Sequence, residues 1–183
     1  RRHAGRLLLS RAGALLMDNT LAAMPIIDVD THYTEHPDLW TALAPASLKA
    51  RAPRVKSDAD GKQFWVVDAN LQLGPVGYCV IRADGSKALG TTTLTRVDEM
   101  HPGATDPQAR LQVMDAQGIS KQILYPNVLG FAGSFVMNIR DVPLRNFCVQ
   151  AYNEHAAGMQ RDTAGRLLPQ ALLPIWDMEL TVQ

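Results

Sequence analysis

Residues 26–40, IIDVDTHYTEHPDLW, constrain the fold more than any other stretch of the chain. Apolar or β-branched Ile27, Val29 and Thr31 alternate with ionisable Asp28, Asp30 and His32, the period-2 pattern of a β-strand. The alternation predicts a central strand over 26–32 with one apolar and one ionisable face. Asp30 and His32 stand two residues apart, so their side chains leave such a strand in one direction and can share a cation. A metal-free polar network accounts for the same residues, although buried carboxylates then need good hydrogen-bond partners. Residue types alone leave both readings open.

Composition narrows the class. The chain has 183 residues, 46% hydrophobic and 20% charged, with 18 basic and 18 acidic side chains, as expected of one soluble globular domain. A net charge of zero gives no basic footprint for a phosphate backbone, which argues against a nucleic-acid partner. No apolar run has the length of a membrane span. Cys79 and Cys148 lie far apart and form no metal-type pair, so a reducing, cytoplasmic setting is expected. Residues 1–25 are expected to be a leader outside the fold: the part up to Leu16 has four arginines and no acid, and Met17 and Met24 sit just before the strand.

The strand pattern is followed by a long insertion, residues 44–95. Its basic segment 49–56 reads as loop with short helix, and 62–68 (KQFWVVD) and 77–82 (GYCVIR) are β-like and expected to pair antiparallel. Connections this long tend to be lids or binding loops, so a β-rich cap over the site is expected. Asp106-Pro107 opens a helix that Gly118 closes, with Leu111, Val113 and Met114 on its buried side. A strand over 121–127 follows, with a nearly continuous apolar core suited to a parallel sheet. Leu144, Phe147, Cys148, Ala151, Tyr152, His155 and Met159 recur at helical spacing over about 143–162. A buried strand over 168–175 and a last helix capped by Asp177 complete the pattern, in which βα units mean a parallel sheet.

Three stretches resemble a known family. DVDTH, with a glutamate three residues on and then PDLW, is similar to the first strand of the amidohydrolase-related metal-dependent hydrolases, the branch that includes the aminocarboxymuconate semialdehyde decarboxylases. RLQVMDAQGISKQILYPN (110–127) and YNEHAAGMQRDTAGRLLPQALLPIWD (152–177) match further along, and together the three cover about a third of the chain. Many members end the first strand in His-x-His; here Asp30-Thr31-His32 occupies that slot, a departure that bears on the metal.

The resemblance implies an α/β fold, a partial (β/α)8 TIM barrel. A whole barrel needs eight strands and about 250 residues, whereas only three barrel strands are legible, at about 26–32, 122–127 and 168–175, so residues 26–183 are expected to be its amino-terminal part. It further implies Asp30 and His32 as metal ligands at the carboxyl end of the first strand, holding zinc first, with manganese or magnesium as alternatives. The implied activity is hydrolysis of a small-molecule substrate by activated water, the alternative being decarboxylation of an aromatic or related acid. The chain by itself is expected to be inactive, with self-association left open. Glu35, just past the strand, reads as a solvated loop acid, as a group supporting the ligands, or as a ligand itself. His36 reads as an ordinary loop residue, His155 as a core histidine, and Asn127 and Phe131 as pocket residues after the second strand, with a hydrophobic loop packed on the insertion explaining Phe131 equally well.

Overall fold

The computed structural model describes residues 24–78, 80–87, 93–130 and 135–182. In chain order these form strand Ile26–Tyr33 (β1), short helices Leu39–Leu43 (α1) and Ala46–Lys49 (α2), and strands Arg54–Ser57 (β2), Gln63–Val67 (β3), Leu71–Pro75 (β4), Gly77–Tyr78 (β5) and Thr93–Leu94 (β6). Helix Pro107–Gln117 (α3), strand Ile119–Pro126 (β7), helix Val142–Asp162 (α4), strand Leu167–Pro169 (β8) and helix Met178–Thr181 (α5) follow.

Helix boundaries follow local chemistry. The Asp106 carboxylate accepts from the N–H groups of Gln108 (2.8 Å) and Ala109 (3.4 Å), Pro107 needs no partner for its nitrogen, and Gly118 ends α3 with a left-handed φ of 69°. Asp141 caps α4 through Leu144 N–H, and Asp177 caps α5 through Leu180 N–H, both at 3.0 Å.

β1, β7 and β8 form a parallel sheet in the order β1-β7-β8. One face packs on the helices: Tyr33, Leu124 and Leu167 meet Met114 of α3 and Met159 of α4 in one buried cluster. β1 is an edge strand among the described residues, not the central one its pattern predicts, and Ile27 and Val29 leave 53% and 58% of their surface exposed. The helices reach only its carboxyl-terminal end, where Tyr33 is buried.

β8 is shorter than the strand expected over 168–175. The Asn153 side chain of α4 takes both backbone groups of Leu172, donating to its carbonyl and accepting from its N–H at 2.8 Å each. With those groups satisfied from the helix, the chain leaves the sheet at Pro169.

In the insertion, β3 pairs with β2 and β4, while Gly77–Tyr78 pairs with Thr93–Leu94, so the expected pairing of 62–68 with 77–82 is corrected. Asp68 at φ 55° turns the chain back at once into β4, which fills the edge of β3. Arg54–Ser57, read as loop, is the other flanking strand.

The insertion shares the largest core with the βα part. Trp65, Val67 and Leu73 pack with Trp40, with Val128 and Leu129 beyond β7, and with Leu144, Cys148 and Tyr152 of α4. The Trp40 and Trp65 rings meet edge to face at 5.4 Å, and Trp40 Nε1 donates to the Cys148 carbonyl at 2.9 Å. Burial pushes the Cys148 thiol up to about 12, which keeps it an inert packing group. Cys79 and the expected leader through residue 23 lie outside the described residues.

Candidate functional site at the carboxyl ends of β1 and β7

The ionisable face of β1 does not run straight. Asp28 lies opposite Gln122 and Thr31 opposite Leu124, so three steps along β1 match two along β7. Such a bulge reverses the alternation: Asp28 and Thr31 share the face of Gln122 and Leu124, while His32, in register with Tyr125, is on the other. The expected single face of Asp28, Asp30 and His32 is therefore broken, and Asp28 instead accepts from Gln122 Nε2 at 3.0 Å. Asp30 is exposed at the bulge, its N–H bonded to the Asp28 carboxylate at 3.2 Å.

His32 is half-buried, with its ring 6.1 Å from that of Tyr125. It contributes to a cavity of about 440 Å³ that also involves Asp28, Thr31, His101, Arg110 and Gln122; Asp30 is not among its lining residues. Arg110 of α3 ties this region together, donating to the carbonyls of Gly103 (2.6 Å) and His32 (2.8 Å). Burial holds its pKa below the usual range, and no carboxylate forms an ion pair with it among the described residues.

Past the strand, the chain is pinned on both sides. Thr34 N–H donates to the Ala104 carbonyl at 2.9 Å, and the Tyr33 hydroxyl donates to the Thr105 carbonyl. Glu35 is 1% exposed, so the reading as a solvated loop acid is corrected. Its two carboxylate oxygens accept from Asn127 N–H (3.1 Å) and Val128 N–H (3.0 Å). Desolvation raises its pKa from 4.5 to about 7, against the opposing pull of its own backbone N–H and of those of Val128 and Asn127. Strand parity held the missed signal: counted from Thr31 and Tyr33, Glu35 falls on the inward side.

Asn127 spends both amide hydrogens on the protein, bonding Thr34 Oγ1 and the Tyr78 carbonyl at 3.0 Å each. Phe131 lies outside the described residues. His36 is exposed, and His155 is half-buried with its pKa lowered by burial and, to a lesser degree, by His36. Both line a separate hollow between α1 and α4.

Asp30 and His32 offer a carboxylate and an imidazole, donor types that suit zinc, manganese or magnesium. Two donors are fewer than the three that protein-built catalytic sites supply, and no group of three or more His, Cys, Asp or Glu residues fit to hold a metal occurs among the described residues. The donor types fit a divalent ion, but Asp30 is exposed and does not line the cavity of His32, so the two donors are not gathered around one cavity.

No family model and no curated protein matches the sequence. Among solved structures, the chain is similar to the crystal structure of an amidohydrolase from Mycobacterium avium subsp. paratuberculosis K-10, with a TM-score of 0.59 and 20% identity over 87% of this chain. The match covers 45% of that protein, so the chain spans about half its length. The fold is thus amidohydrolase-like, with the parallel β1-β7-β8 sheet consistent with part of a barrel. No helix among the described residues is long and apolar enough to cross a membrane.

Proposed function

We propose that the chain is part of a metal-dependent hydrolase in which Asp30 and His32 give two of the ligands to a divalent ion, zinc first. One observation carries this reading: an acid and an imidazole two residues apart stand near the carboxyl end of the first parallel strand of an amidohydrolase-like sheet. Catalytic groups in barrels of this kind gather at the carboxyl ends of the strands. A bound divalent ion would supply Lewis acidity and an acidified water.

The chain's own residues do the positioning. Arg110 fixes the His32 backbone through its carbonyl, and the Asp28 carboxylate holds the Asp30 N–H. The insertion approaches the same ends through Asn127 and Tyr78, which suits a cap that restricts entry of a small molecule and of bulk water. A carboxy-lyase is the second reading. It is favoured by Arg110, a guanidinium in the cavity of His32 with no ion pair among the described residues, apt for a substrate carboxylate.

In either reading the remaining donors come from strands outside these residues, so the 183-residue chain alone binds metal weakly and turns over little. The test compares metal content and hydrolase activity of this chain, of a longer form carrying further barrel strands, and of that form with His32→Ala. Metal and turnover should appear in the longer form and vanish together with His32→Ala. Full activity in the short chain or in the His32→Ala protein contradicts the assignment.

A further inference from the structure

Among the described residues Glu35 is the one fully buried acid, its carboxylate joins two βα units, and the metal reading leaves it without a task. It leaves the end of β1, and both its oxygens are engaged by the first two N–H groups beyond β7. The first of those residues, Asn127, reaches back to Thr34 with one amide hydrogen and out to the Tyr78 carbonyl of β5 with the other. One carboxyl group therefore fixes a three-way joint of β1, β7 and the insertion.

We propose that Glu35 is the positioning residue of this mouth and a proton-linked latch: it holds the joint closed while protonated, and losing the proton favours states in which it reaches water and Asn127 lets go of Tyr78. The sign follows from burial without a counter-charge. No cation pairs with Glu35 among the described residues. The ionisable groups facing it are Tyr33 from β1 and Tyr152 from α4, both pushed above their usual range chiefly by burial and neutral near pH 7. The loop at Asn127–Val128 brings the N–H groups, and strand β5 brings the Tyr78 carbonyl to Asn127. The N–H groups of Glu35 itself, Val128 and Asn127 offset only part of the cost of burying the carboxylate with no cation beside it, so the closed joint retains a proton that an open, hydrated one gives up. Raising the pH therefore drives opening by mass action, between the ordinary value of 4.5 and the buried value of about 7. Glu35, Asn127 and Tyr78 carry this latch without any metal.

Amide hydrogen exchange from pH 5 to 8 tests it, read as protection factors so that the chemistry's own pH dependence drops out. In the unaltered chain, protection at Asn127, Val128 and residues 71–78 should fall about tenfold per pH unit up to about pH 7 and then level off. Cys148 and Val149, in the middle of α4, should stay better protected throughout. Glu35→Gln should make the profile flat, and Asn127→Ala should leave the slope at Val128 while abolishing it at Gly77 and Tyr78. A flat profile in the unaltered chain would overturn the proposal whether or not Glu35→Gln folds. An unchanged slope in Glu35→Gln, or equal protection and slope at Cys148 and Val149, which reports only global unfolding, would overturn it as well.

Discussion

Trp40→Ala measures how firmly the insertion is welded to the βα part. Trp40 is fully buried, meets Trp65 of β3 edge to face at 5.4 Å and donates to the Cys148 carbonyl at 2.9 Å, so it touches both parts at once. Removing a buried tryptophan costs about 3–5 kcal/mol, a range that already contains the lost ring pair. Trp40→Phe keeps an aromatic ring against Trp65 but gives up the indole N–H, for a loss of about 1–2 kcal/mol. With a urea slope of about 2 kcal/mol/M, the alanine variant's midpoint should fall by about 2 M and the phenylalanine variant's by less than 1 M. Far-UV circular dichroism in urea provides the assay, and it should show a single transition because one cluster spans both parts. A loss below about 1 kcal/mol for Trp40→Ala, or a separate early transition in the unaltered chain, would refute the shared core.

Glu35 also leaves a mark on global stability. Its carboxyl is raised from 4.5 to about 7, so the folded chain keeps a proton that the unfolded chain loses, and stability falls as pH rises from 4.5 to 7, by about 3 kcal/mol at most. Urea midpoints against pH should show that slope flattened in Glu35→Gln; an identical slope in both proteins would contradict the buried acid. Asn153→Leu strips Leu172 of both its backbone partners and should cost about 1–3 kcal/mol, with faster exchange at the Leu172 amide as the direct readout. Gly118→Ala places a side chain at φ 69° with open space around it, so the cost is conformational alone, about 1 kcal/mol by thermal melting.

What was legible in the sequence was local. The stripe from Leu144 to Met159 and the Asp106 and Gly118 signals mark their helices because cap and periodicity act within a few residues. The alternation over 26–32 marks β1 as a strand for the same reason. The bulge that turns Asp28 away from His32 depends on the register with β7, some ninety residues on, and no local pattern encodes it. β8 stops early because Asn153, on a different element, captures Leu172. Glu35 looked solvated by residue type, yet two N–H groups from a distant loop admit it to the interior. The candidate site followed the same division: Asp30 and His32 stand out in one local pattern, whereas Arg110 and Gln122, which hold their strand, came only from the tertiary arrangement.

The central claim, that Asp30 and His32 give ligands to one divalent ion, is tested most directly by nitrogen-15 spectra of the histidine rings during a zinc titration. The chain has five histidines, so the His32 signals can be assigned by His32→Ala. The expected result is a saturable shift of a His32 ring nitrogen, weakened in Asp30→Asn, with the signals of His36, His101 and His155 unmoved. Ring signals of His32 that stay fixed at saturating zinc while those of another histidine shift would contradict the assignment.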